Sequence, residues 1–335
     1  MDRLVIVAPN WLGDGVMALP AVADIRRTWP SAHVAVAARP QIAPLFSIVD
    51  GVDEVIVLPA AGGGARAAAD SLRRGSFGAA VLLPNSFHAA YIAWRAAIPE
   101  RWGYRTDWRR PLLTRAVRPP RHVHQAAFYQ TLVNQLGCES GPMRPELRAS
   151  DEIRRAGLER LAAAGWDGRR PLVALAPGAA YGGAKQWPTA SFAALAGELS
   201  ERDGACIVLV GAAGDVQAGA DVEAKAAGVR SIVNLIGRTD LRQLAGVLVA
   251  CRGLVTNDSG AMHFAAALGV TVTAMFGPTR EKETRPIASP GGHEPVVLTH
   301  HVWCRPCMLR ECPLMHGCMR GIAVEEVLQA ARRTL

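Results

Sequence analysis

Aromatic residues make up only 6% of this 335-residue chain, a scarcity that argues against a surface built to stack exposed nucleobases. No apolar run is long enough to span a bilayer. The apolar start Leu4 to Pro9 stops at Asn10, too soon for a secretion signal, so the chain is expected in the cytoplasm. The cysteines are few and odd in number: of seven, Cys138, Cys206 and Cys251 are scattered in apolar or helical surroundings, unlike an oxidised, disulfide-framed scaffold. The loop after the first strand-like run is neither a Gly-x-Gly-x-x-Gly fingerprint nor a Walker loop. Dinucleotide hydride transfer and nucleoside-triphosphate hydrolysis therefore lose their usual signature.

What is present is 50% apolar residues, enough for two ordinary cores, and a formal net charge of +8 that favours anionic partners. Short apolar or β-branched runs alternate with longer amphipathic segments, and they do so twice. The first series is Leu4–Pro9, His33–Ala38, Glu54–Leu58 and Ala79–Pro84. The second is Leu172–Ala176, Ala205–Gly211, Ser231–Leu235, Gly253–Thr256 and Thr271–Phe276, with helical patterns at Ser191–Arg202 and Leu241–Cys251 between them. Such alternation predicts parallel α/β sheets with right-handed crossovers, hence two doubly wound domains. The polar stretch Gly141 to Asp151, with Pro142 and Pro145, reads as a linker or surface loop. We expect domains over 1–160 and 161–323, followed by an amphipathic helix at 324–335.

Ligands of open parallel sheets sit beyond the carboxyl ends of strands, so the loops there carry the chemistry. Thr256-Asn257-Asp258-Ser259-Gly260-Ala261-Met262-His263 reads as strand, polar turn and helix start. The N–H groups of Ser259, Gly260 and Ala261, with the helix dipole, favour an anion such as phosphate. Asp258 would cap the helix or accept from sugar hydroxyls. In Asn10-Trp11-Leu12-Gly13-Asp14-Gly15, the glycines Gly13 and Gly15 would let a bulky substrate approach, leaving Asp14 as hydrogen-bond acceptor, general base or helix cap. The glycine-rich run from Pro177 through Gly178 to Pro188 holds Lys185 just before a helix, where an ammonium can neutralise charge on a departing phosphate. Asp215, after Gly211, is either a contact on the nucleoside side or a helix cap.

Together Asn-Trp-Leu-Gly-Asp-Gly at 10–15, Leu-Pro-Asn-Ser-Phe at 83–87, the run 178–188 and the run 256–263 resemble the lipopolysaccharide heptosyltransferases of glycosyltransferase family 9, most of all their type II members. The resemblance covers nearly the whole chain. It implies a GT-B fold: two Rossmann-like domains facing a central cleft, the first holding the acceptor and the second ADP-heptose, with the C-terminal helix packing back on the first. It implies an inverting transfer of L-glycero-D-manno-heptose to the first heptose of the inner core, on Kdo2-lipid A carrying one heptose. Asp14 matches the family's proposed base and Lys185 the lysine facing the donor diphosphate. Asp258 matches the aspartate on the donor sugar, and Ser259, Gly260 and Ala261 the phosphate cradle. His263 matches the motif histidine, either a phosphate contact or a packing residue, and Gly178 falls on the donor side. Ala180 and Tyr181 stand where some type I relatives have hydroxyl residues. A type I or III enzyme, or a nucleotide-sugar epimerase of similar shape, is the alternative.

On the acceptor side the candidates are Gly13, Gly15, Asn85, Arg105, Arg109 and His124. The last three belong to a basic stretch running from Arg101 through Arg121 to His124. It is either a solvated face or a grip for acceptor carboxylates and phosphates. The same charges could hold the protein peripherally at the anionic inner face of the inner membrane; nucleic acid is not expected as a partner. Cys304, Cys307, Cys312 and Cys318, with His301 and His316 nearby, have the close packing of a structural zinc or iron site, disulfides and free thiols being the other readings. The chemistry itself requires no cofactor.

Overall fold

The computed structural model describes residues 1–333 apart from Ala61 and Arg230. The chain divides into two compact units, Met1–Leu147 and Arg148–Leu335. Both are built on a six-stranded, all-parallel sheet.

The first unit runs β1 (Arg3–Val7), α1 (Leu12–Met17), α2 (Leu19–Thr28), β2 (His33–Ala38), α3 (Ala43–Phe46), β3 (Glu54–Val57), α4 (Ala65–Arg74), β4 (Ala79–Leu82), α5 (Phe87–Arg95), β5 (Glu100–Tyr104), β6 (Arg115–Val117) and α6 (Gln125–Gln135). Its sheet order is β3-β2-β1-β4-β5-β6. Val5 pairs with Ala35 on one side and Ala80 on the other. Helices cover both faces, so the central strands are apolar at nearly every position rather than alternating.

The second unit runs α7 (Asp151–Ala163), β7 (Leu172–Ala176), α8 (Thr189–Asp203), β8 (Cys206–Leu209), α9 (Val216–Lys225), β9 (Ile232–Asn234), α10 (Leu241–Ala250), β10 (Gly253–Asn257), α11 (Gly260–Ala267), β11 (Thr271–Phe276), α12 (Glu281–Thr284), β12 (Val296–Thr299), α13 (Gly317–Arg320) and α14 (Val324–Arg332). The order β12-β11-β10-β7-β8-β9 repeats the winding of the first sheet. In each unit the direction of strand addition reverses beside the first strand, between β1 and β4 and between β7 and β10. Those are the places where such sheets open a crevice for a ligand.

Every run expected as a strand forms one. Three further strands, β5, β6 and β12, lie outside the expected series. The unit boundary also falls earlier than the expected 160/161. Ser150 caps α7 by accepting from Ile153 N–H, and α7 packs on α10 in the second unit. Gly157 and Gly246 face each other at that crossing, each lying where the other's Cβ would have to go. The C-terminal helix corrects another expectation. Val327, Leu328 and Ala331 of α14 are buried in the core of the second unit against α8, β10 and β11. Arg332 adds an ion pair to Asp203 on α8 at 2.6 Å. Its apolar stripe is thus consumed there, not on the first domain. Among the described residues no helix is long and apolar enough to cross a membrane.

Candidate functional site

In the second unit the loops after β7 and β10 flank the reversal point, and one buried side chain ties them together. Asn257, at the end of β10, donates from Nδ2 to Pro177 O at 2.8 Å and Gly178 O at 3.3 Å, while its Oδ1 accepts from Trp187 N–H at 2.9 Å. Trp187 is fully buried, edge-on to Phe192, and its indole N–H donates to Ile322 O at 3.0 Å. The loop from 177 to 187 is therefore fastened at both ends.

Between those anchors Gly183–Lys185 form a 3-10 turn that aims Lys185 at the other loop. Lys185 Nζ lies 2.6 Å from Asp258 Oδ2, with side-chain exposures of 13% and 5%. The same ammonium stands 4.7 Å from the centre of the Tyr181 ring, a cation–π distance. Asp258 Oδ2 also accepts from Thr279 Oγ1 at 2.5 Å, so the carboxylate is engaged by a cation and a hydroxyl. It does not cap α11: Ser259 occupies the N-cap, without a side-chain cap bond, and its Oγ lies 3.2 Å from Thr256 Oγ1. The first-turn N–H groups at Ser259, Gly260 and Ala261 are thus left for an anion. His263 is buried farther along α11. On the other flank of β7, a side chain at Gly178 would collide with the Asp215 carboxyl. Asp215 accepts from Ala212 N–H at 2.9 Å, and burial pushes its carboxyl above the usual carboxylate range.

The cysteine-bearing segment has a role that the sequence did not disclose: it seats the Lys185 turn. Ala184 N–H donates to Arg310 O at 2.9 Å, Gly183 N–H to Glu311 Oε1 at 3.0 Å and Tyr181 O–H to Met308 O at 2.8 Å. His316 Nε2 lies 2.7 Å from Ala184 O. Cys304, Cys307, Cys312 and Cys318 are free thiols lining a mostly apolar cavity of about 320 Å³ beside His316. Among the described residues no three His, Cys, Asp or Glu side chains gather in a way that could hold a metal ion. The expectation of a zinc or iron site is therefore not supported. Hydrogen bonds to the lysine turn, from both backbone and side chains, hold this segment instead.

In the first unit Asp14 sits half-buried in the first turn of α1, just beyond β1. Trp11 is the N-cap, so Asp14 does not act as the helix cap. Its carboxylate takes a hydrogen bond from the phenol of Tyr129 on α6. That phenol is buried, and both burial and Asp14 hold its pKa well above the ordinary range, keeping it a donor. Gly13 and Gly15 are buried rather than open to a substrate. A Cβ at Gly15 would lie 3.0 Å from the Leu45 side chain, so this glycine serves the packing of α1 on α3.

The basic stretch splits into different kinds of residue. Arg109 is fully buried, which corrects its reading as an acceptor contact. Its guanidinium donates to Tyr104 O at 2.7 Å, to Ser86 O at 3.3 Å and to Pro84 O, and burial pulls its pKa down to about 10. It props the loop after β4 from beneath. Arg101 is spent similarly on Leu112 O and Ile98 O. His124 caps α6 by accepting from Ala126 N–H at 3.1 Å. Asn85 is exposed, its carbonyl accepting from Thr106 Oγ1 at 3.0 Å. Arg105 is exposed.

Residues 65–317 match the family model described as glycosyltransferase family 9 (heptosyltransferase). The chain belongs to that family, and it is a glycosyltransferase. It is 32% identical over 309 residues to lipopolysaccharide heptosyltransferase 2 of Salmonella typhimurium, a match covering 85% of this chain and 86% of that one. Against the Escherichia coli K12 enzyme of the same name the identity is 31% over 310 residues, with the same coverage. The solved structure of E. coli ADP-heptose lipopolysaccharide heptosyltransferase II is similar along its whole length, with a TM-score of 0.83 at 30% identity, covering 100% of this chain and 98% of that one. Both units thus have the doubly wound architecture of the GT-B heptosyltransferases.

Proposed function

We propose that this family 9 chain is an inverting heptosyltransferase that moves L-glycero-D-manno-heptose from ADP-heptose to the first heptose of a lipopolysaccharide inner core. The observation carrying the reading is the buried Lys185–Asp258 pair at the β7/β10 reversal point, beside the open N-terminus of α11. It stands in a chain 31–32% identical to two heptosyltransferase 2 sequences over 85% of its length.

The second unit takes the donor. The diphosphate lies against the α11 N-terminus, with Lys185 turned from Asp258 toward its oxygens, and Asp258 then accepts from heptose hydroxyls. Gly178 and Asp215 serve the nucleoside side, and His263 supports α11 from within. As the bond between the anomeric carbon and the diphosphate oxygen breaks, negative charge grows on ADP, where an ammonium and a helix N-terminus stabilise it. The first unit takes the acceptor, with Asn85 and Arg105 among its contacts. The acceptor hydroxyl attacks the anomeric carbon from the face opposite ADP, and its proton passes to Asp14. An ordinary carboxylate suffices, because bonding to the electrophilic carbon has acidified that hydroxyl by the time the proton moves. No step calls on a metal.

The protein works at the anionic cytoplasmic face of the inner membrane, where Kdo2-lipid A carrying one heptose would be met. Exposed Arg105 and Arg110 flank Trp108, itself 94% exposed, which joins basic charge to an interfacial aromatic. Co-sedimentation with anionic but not neutral vesicles checks this.

The decisive experiment mixes the enzyme with ADP-heptose and a mono-heptosylated core acceptor. ADP should appear, and should not when acceptor is omitted. No ADP with the acceptor, or equal ADP without it, overturns the reading.

A further inference from the structure

A cavity of about 300 Å³ in the first unit lies at the carboxyl ends of β1 to β4, bordering the Asp14 turn at Asn10 and the Asn85 loop at Pro84 and Ser86. Its floor is apolar, with Val7, Leu58 and Ile92 among the lining residues, while its polar groups are Asn10, Arg39, Ser86 and His88. Among the described residues no carboxylate lines it. Arg39 follows β2 directly and is half-buried, and neither it nor His88 has an ion-pair partner among the described residues. Ser86, His88 and Ala89 bring the N-terminal turn of α5 to the same wall, so the helix dipole adds to the field of the guanidinium. The wall is held firmly. Arg109 props the carbonyls of Pro84 and Ser86 from below, and Ser86 Oγ caps α5 through Ala89 N–H at 3.3 Å.

A half-buried arginine without a carboxylate, facing a helix N-terminus across an apolar floor, is suited to a planar or tetrahedral oxyanion on a largely apolar-faced ring. We propose that this cavity is a subsite for an oxyanion carried by the carbohydrate acceptor, either the carboxylate of a sugar acid or a phosphate monoester, bound by Arg39 and His88. The inference rests on the transferase reading above and adds to it what the first unit recognises in its acceptor. Arg39 and His88 stand beyond β2 and β4 and grip a group of the acceptor other than the reacting hydroxyl, so the subsite's contribution is to acceptor affinity, not to the chemical step.

Two measurements on the full chain test it. In the first, calorimetry compares a free keto-deoxy sugar acid, its neutral methyl ester and inorganic phosphate. The wild type should bind at least one anion about tenfold or more tightly than the ester, and Arg39→Gln should erase the difference, as expected for losing a charge-assisted bond. Binding of the sugar acid identifies a carboxylate as the ligand group, and binding of phosphate alone a phosphate monoester. In the second, transfer kinetics with intact acceptor should show the acceptor KM of Arg39→Gln raised about tenfold or more, with kcat and donor KM nearly unchanged. His88→Gln should act in the same direction with a smaller effect. If Arg39→Gln binds anions and acceptor as the wild type does, the subsite is refuted. If the wild type transfers no heptose, the transferase reading fails instead, and calorimetry still decides whether the cavity takes an oxyanion.

Discussion

Lys185 Nζ and Asp258 Oδ2 stand 2.6 Å apart, brought from loops 73 positions apart in sequence to the two sides of one strand-order reversal. The pair is mostly withdrawn from water, so each charge depends on the other or on a ligand that replaces it. Removing either partner leaves a buried charge without compensation, a change that costs about 3–5 kcal/mol in well-buried pairs and less at 13% exposure.

Lys185→Ala should therefore do two things at once. Turnover should fall about a hundredfold or more, the range for loss of a transition-state charge stabiliser, and the melting temperature should drop by several degrees. Steady-state kinetics and calorimetry on the same preparation check both. A variant with full turnover removes Lys185 from the chemistry whatever its stability.

Asp14→Asn should lower turnover about a hundredfold or more, the general-base range, with donor affinity held. Tyr129→Phe is the subtler companion. It deletes the phenol that donates to the Asp14 carboxylate. A carboxylate that loses a donor titrates higher, so the acid limb of the kcat/KM profile should move to higher pH. An unmoved limb means that Tyr129 does not govern the ionisation of Asp14.

Gly246→Ala places a methyl group where α7 crosses α10, against the Ile153 carbonyl and the backbone of Gly157. Overpacking of this kind costs about 1–3 kcal/mol. A urea titration should show a lower midpoint with an unchanged slope. An unchanged midpoint shows that the helices can part without cost.

Alkylation of the native protein should sort the thiols by burial. Cys304, Cys307 and Cys312 are half-buried and should react with iodoacetamide. Cys251 is buried and its pKa is held far above the usual thiol range, and Cys138 is pushed up to about 11, so neither presents thiolate at neutral pH. Mass mapping of the labelled peptides reads this out. Joint protection of all four cysteines between 304 and 318 would point to a bound metal after all.

Both sheets were legible in sequence because their central strands are buried on both faces and read as unbroken apolar runs, as in Leu172–Ala176. The strands that escaped are at or next to the edges. β5 carries Arg101 and β6 carries Arg115, and the first two residues of each are not buried, so neither shows the unbroken interior pattern. Short β12 is half-buried and lies at the rim of the other sheet. The family motifs led to Lys185 and Asp258, but not to Asn257, whose side chain looks like any turn residue until the 177–187 loop is seen folded over it. Arg109 was misread because it stands among exposed arginines, and nothing local marks the one turned inward. Arg39 did carry a usable signal. It follows β2 directly, at the same carboxyl edge of the sheet from which the Asp14 turn leaves β1, the edge where such sheets take their ligands.

The indole hydrogen bond from Trp187 to Ile322 reaches across 135 positions of sequence. During synthesis, the loop bearing the lysine emerges long before the carbonyl it must lean on. A ribosome that stops short of residue 322 releases a polypeptide with all of its donor-side chemistry written in and nowhere to seat it, so prematurely terminated products should be inert rather than partly active.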